Sequence, residues 1–102
     1  MLPERERILQ FARLIGVEAF AARFGPPHTA SPGREALRAL VDERLDAVAQ
    51  GLVAEAAASD DVTDVASARS YLEDRIETLG DLLTPEQAER IRLAFAERTR
   101  DW

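Results

Sequence analysis

Apolar residues recur at steps of three and four along almost the whole chain, and no stretch sustains a period-two alternation of apolar and polar residues. Steps of three and four line one face of an α-helix, whereas a half-buried strand needs alternation. The chain is therefore read as all-α. Its 102 residues, 46% hydrophobic and 31% charged, suit one folded domain with one core. A radius of gyration of about 13 Å is expected for that size.

The pattern divides into a bundle of four helices, at about 3–24, 32–58, 62–82 and 85–101, with antiparallel neighbours joined by short loops. Helix one opens on Pro3, with Glu4 and Glu6 where the helix dipole favours negative charge. Ile8, Phe11, Ile15, Ala19 and Ala22 share one stripe, with Leu9, Ala12, Phe20 and Phe24 beside it. Gly16 is the point at which this helix bends or divides. Helix two takes Ser31 as N-cap and Pro32 as its first residue. Its seam is Leu37, Val41, Leu45, Val48 and Leu52, continued by Ala56. Unbroken, it would be roughly 40 Å long at 1.5 Å per residue, too long for a compact domain of this size. Either Gly51 breaks it or its apolar end is covered by a second copy, so the bundle is expected to be completed by homodimerisation through this seam.

Helix three is capped by Asp60 or Asp61, with Asp64 in its first turn, and carries Val65, Ala68, Leu72, Ile76, Leu79 and Leu83 inward. Helix four begins at Thr84. Within "LTPEQAE" (83–89), Thr84 and Gln87 form a capping box, Pro85 takes the first helical position, and Leu83 staples against Ala88. Helix initiation accounts for every residue of the run. Through Leu83, Thr84 and Gln87 it also resembles the "LTxxQ" signature of periplasmic Spy-like stress chaperones, which are small helical dimers; the likeness covers five residues. Ala88, Ile91, Phe95 and Trp102 form the inner face, with Trp102 closing the bundle's core or anchoring an interface.

The net charge of −6 is localised. Arginines and acids balance before residue 52 and again after residue 81. Between them, eight carboxylates face only Arg69 and Arg75. A partner of that segment should present a basic surface. All thirteen basic residues are arginine, a bias that GC-rich bacterial codons produce, so their number says nothing about phosphate or carboxylate recognition.

Several chemistries find no support. There is no cysteine for disulfides, thiolate metal sites or thiol nucleophiles. His28 is the single histidine, in a proline-flanked loop, too few imidazoles for a zinc or di-iron ligand set or a convincing serine triad. Asp60, Asp61 and Asp64 lack the order of a calcium loop, and the five glycines are isolated rather than forming a phosphate loop. No cofactor or metal is expected. The charged start "MLPERERILQF" and the lack of a long apolar run lead to a cytoplasmic, membrane-free expectation.

Three functional readings follow. The first is a non-enzymatic interaction module (an adaptor, regulator or inhibitor) that offers Glu73, Asp74 and Glu77, or the C-terminal Arg98 and Trp102, to a protein partner. The second rests on "IGVEAFAARFG" (15–25), which resembles the first helix of a bacterial helix-turn-helix. On that resemblance residues 15–45 bind DNA and Arg34 and Arg38 face the groove. The nine-residue link "GPPHTASPG" exceeds the usual three- or four-residue turn, and a pI near 4.8 opposes phosphate binding, so nucleic acid is the lesser expectation. The third is a small helical enzyme or ligand carrier with a pocket inside the bundle.

Overall fold

The computed structural model describes residues 3–102, which form six α-helices and one 3-10 turn with no strand among them. The helices are α1 (Glu4–Ile15), α2 (Val17–Phe24), α3 (Arg34–Glu43), α4 (Leu45–Ala58), α5 (Val65–Leu79) and α6 (Pro85–Thr99), with the 3-10 turn at Gly80–Leu82. Six helices replace the expected four because each of the first two divides.

The first division is at Gly16, whose φ of 109° is closed to a residue with a Cβ. Its amide donates to the Ala12 carbonyl and closes α1, while its own carbonyl accepts from the Phe20 amide and opens α2. The change of direction carries Phe20 between Phe11 and Phe24, edge-to-face with centroids 6.4 and 5.0 Å away. Ala22, assigned to the inner stripe of one continuous helix, is exposed instead.

The second division corrects the long-helix reading. The chain breaks at Arg44 (φ −129°, ψ 34°), not at Gly51, and α3 starts after Gly33 rather than at the Ser31–Pro32 pair. Arg44 has no special turn propensity, so tertiary contacts hold the break. Its Nε donates to the Ile15 carbonyl at 3.0 Å, satisfying an open acceptor at the end of α1. Gly51 has another use inside α4: a Cβ there would stand 2.9 Å from the Leu14 carbonyl oxygen, so its absence lets α1 and α4 approach closely. Two shorter helices give a body of 37 × 23 × 23 Å with a radius of gyration of 13.2 Å.

The break changes the meaning of the seam. Leu37, Val41, Val48 and Leu52 are at most 2% exposed within one chain, and Leu45 is partly buried. Since α4 packs on α1 and α6, the chain's own helices supply the cover that was expected of a second copy. The argument for a dimer through Leu37, Val41, Leu45, Val48 and Leu52 therefore falls away. Buried residues from all six helices join one cluster.

Helix α5 is capped by Asp64, not by Asp60 or Asp61: its carboxylate accepts from the Ser67 amide, and the Ser67 hydroxyl accepts from the Asp64 amide. At α6 the Thr84–Gln87 box is present, and Gln87 reaches further. Its Nε2 donates to the Arg38 carbonyl and to Asp42, tying the start of α6 to α3. Arg5 donates to the Pro27 and Ala30 carbonyls and pins the 25–33 loop to α1. Trp102 does not close the core; it is 39% exposed.

Candidate functional site

Helices α5 and α6 form an antiparallel pair, with Val65 near Thr99 at one end and Glu73 bound to Arg92 at the other. Between them lies an open groove of about 470 Å³. Its walls come from α5 positions 65, 69, 72 and 73 and α6 positions 92, 93, 96, 99 and 100, the three-and-four spacing that turns one helical face toward a neighbour. Leu72 and Phe95 form the buried floor; Val65 and Ala96 continue it outward. Leu93 stands on the lip, 65% exposed, the most exposed large apolar side chain among the described residues. The volume lies in the range of sites that take a ligand or an anchoring side chain.

The charged residues that line this groove differ in their partners. Arg69 and Arg100 lie at the end nearest Val65 and Thr99, and neither makes an ion pair among the described residues. At the far end Arg92 spans the two helices and donates twice to Glu73, at 2.8 and 3.0 Å, with Glu89 at 3.4 Å beside it. That guanidinium holds the Glu73 carboxyl below its ordinary pKa. Asp74 and Glu77, which do not line the groove, are exposed on α5 and make no ion pair among the described residues, and Asp74 shares a shallow surface depression with Arg69.

The residues singled out from sequence thus separate. Glu73 is neutralised by Arg92, leaving Asp74 and Glu77 as the open acids of the trio. Arg98 pairs with Asp46 of α4 at 3.6 Å, and Trp102 extends past the end of α6. Sequence reasoning passed over Arg69, Leu93 and Arg100. Leu93 carried a signal, since it lies off the Ala88–Ile91–Phe95 face that the core uses.

Arg34 and Arg38 are turned inward rather than presented to a groove of DNA. Arg34 bridges Glu4 at 2.6 Å and Asp81 at 3.1 Å, and Arg38 donates to the Asp81 carbonyl at 2.7 Å. Arg7 completes this cluster, donating to Asp81 and to the Thr78 and Leu79 carbonyls that end α5. The guanidinium groups draw the Glu4 and Asp81 carboxyls below their ordinary pKa, in each case chiefly by hydrogen bonding. The cluster fastens α1, α3 and the 3-10 turn together, which occupies the arginines a helix-turn-helix would use.

Two other polar assemblies are structural in geometry. The Tyr71 hydroxyl and Arg75 Nε both donate to Glu55 Oε1, at 2.9 and 3.1 Å, and Arg75 also donates to Gln10, so α1, α4 and α5 are joined. Burial, followed by the Glu55 contact, pushes the Tyr71 hydroxyl up. A cleft of about 420 Å³ between α3 and the start of α6 sets Glu35, Asp42 and Glu86 against Arg38 and Arg90 over the polar Gln87. It lacks the apolar floor of the α5–α6 groove. His28 is exposed in its loop, and the described residues contain no group of three or more His, Cys, Asp or Glu suited to a metal ion. No helix among them is long and apolar enough to cross a membrane.

The chain matches no protein-family model, and neither a characterised protein nor a solved structure is significantly similar to it.

Proposed function

We propose that this protein is a non-enzymatic interaction module that captures a protein partner across the face formed by α5 and α6. One observation carries the reading: an apolar groove open at the surface between α5 and α6, while buried residues of all six helices join one core, with Leu93 exposed on its lip. A large apolar side chain held in water on a rigid helix is a ready contact for a partner, because covering it releases roughly 1.5–3 kcal/mol. Asp74 and Glu77 on the outer edge of α5 supply the acidic contact for basic groups of that partner.

The test is differential capture from the native host by the wild-type chain, Leu93→Glu, and the pair Asp74→Arg with Glu77→Arg. All three positions are exposed, so thermal melts should be little changed. A protein retained by the wild type and lost with Leu93→Glu supports the reading. An identical captured set from all three chains ends it.

A further inference from the structure

The charged side chains that line the groove are three arginines and one glutamate, a local surplus of positive charge on a chain whose net charge is −6. The single carboxylate, Glu73, accepts from Arg92 through both oxygens, at 2.8 and 3.0 Å. A basic group arriving there would have to displace that paired bond. The Thr99 hydroxyl is buried and donates to the Phe95 carbonyl. What stays open is Arg69 on the α5 wall, one turn along from Val65, and Arg100 on the α6 wall, next to Thr99. Both are exposed, and neither makes an ion pair among the described residues. A guanidinium donates hydrogen bonds and accepts none. The floor beside them is Leu72 and Phe95, each 2% exposed, with Leu93 on the lip. The groove thus sets free donors over an apolar floor and leaves no side-chain acceptor unengaged.

Resting on the docking face proposed above, we infer that the segment entering the groove is both acidic and apolar: a Leu- or Phe-bearing stretch of the partner whose Asp or Glu side chains reach Arg69 and Arg100. The apolar side chain covers Leu93 and the floor. The carboxylates supply the acceptors that the lining lacks, in the forked geometry a guanidinium favours. Either chain direction serves, because the two arginines stand on opposite walls and carry the same sign. A basic segment would bring its cations against two unpaired guanidinium groups. The basic partner surface expected from the acid surplus of residues 52–81 finds its open contacts at Asp74 and Glu77, outside the groove. Arg69 and Arg100 are therefore specificity determinants for carboxylates on the segment that enters.

The probes are three labelled peptides that share a central Leu-Phe-Leu run and carry, on both flanks, a pair of Glu, Gln or Lys. The flanks are symmetric, so reversing a peptide does not change its charge layout. Binding is read by fluorescence anisotropy at low and physiological salt. The Glu peptide should bind about tenfold more tightly than the Gln peptide at low salt, and the Lys peptide more weakly than either, with the spread narrowing as salt rises. The net charge of −6 acts in the opposite sense, so attraction to the chain as a whole would favour the Lys peptide. The double variant Arg69→Gln with Arg100→Gln should bring the Glu peptide down to the affinity of the Gln peptide at an unchanged melting temperature, both positions being exposed. Equal affinity for the Glu and Gln peptides, a preference for Lys, or a Glu preference that survives the double variant overturns the inference while leaving the groove as a docking face. Binding of none of the three, or Glu-peptide binding that Leu93→Glu does not weaken, overturns the groove itself. Decanoate that displaces the labelled Glu peptide more effectively than the unlabelled peptide does would make a small amphiphilic acid the occupant. Self-association of the free chain that Leu93→Glu abolishes would make it a second copy. Either result overturns the inference.

Discussion

Replacing Gly51 by Ala tests the packing on which the fold depends, because two effects of opposite sign meet at one atom. Gly51 lies inside α4, and helix propensity alone favours Ala over Gly there by about 1 kcal/mol. The added methyl, however, would sit 2.9 Å from the Leu14 carbonyl oxygen and 3.5 Å from the Leu14 Cα. These are main-chain atoms of α1 and cannot rotate away, so α1 must shift by a few tenths of an ångström against fully buried Ala49 and Leu52. Overpacking of this kind costs about 1–3 kcal/mol. With backbone as the obstacle the upper part of that range applies, and the net result is a loss of about 1–2 kcal/mol. A domain of this size loses about 4–8 °C of melting temperature per kcal/mol. The assay is urea unfolding, in which Gly51→Ala should lower the midpoint at an unchanged slope. A midpoint raised by the equivalent of about 1 kcal/mol would show that propensity prevails and that α1 does not approach α4 so closely.

Removing the cap of α6 with Thr84→Ala should cost about 1 kcal/mol in the same assay, since the Gln87 amide loses its acceptor; no change would contradict the capping box. Stability should also depend on acid in a defined direction. Glu4, Glu73 and Asp81 have folded pKa values below their ordinary ones, so their contribution is present above the ordinary carboxylate range and is lost as pH falls through the folded values. The urea midpoint should hold from pH 7 to about 5 and decline below about 4. Asp81→Asn should flatten part of that decline, and an unaltered profile would remove Asp81 from the account. Arg34→Ala should lower the melting temperature, because Glu4 and Asp81 lose the group they share. A low-salt mobility shift with duplex DNA that this substitution weakens would contradict the inward assignment.

The sequence carried the helical class and the local starts of helices well, and it carried their breaks poorly. Thr84, Pro85 and Gln87 announce a helix start because capping is satisfied within four residues, and the structure keeps that box. Gly16 likewise marks its division through the residue's own backbone freedom. Arg44 announces nothing. The break there is stabilised by a hydrogen bond to Ile15, a residue 29 positions away, which no local pattern contains. The missed break made one long helix of two and created the appearance of an uncovered seam. Charge was misread for the same reason: the surplus of acids on residues 52–81 is visible in sequence, but the neutralisation of Glu73 by Arg92 and the freedom of Arg69 and Arg100 appear only once α5 and α6 lie side by side. The groove was partly legible, since Leu93 stands off the stripe its helix needs for the core.

The most direct measurement is a residue-by-residue map of backbone amide shifts in a nitrogen-labelled chain on addition of a protein that the wild-type chain captures and the Leu93→Glu chain does not. Shifts should concentrate on residues 65–77 and 92–100, with the buried seam at 37–52 and the aromatic cluster at Phe11 and Phe20 unmoved. Shifts centred on the polar cleft around Glu35, Asp42 and Arg90, or spread through the core, would contradict the assignment of α5 and α6 as the binding face.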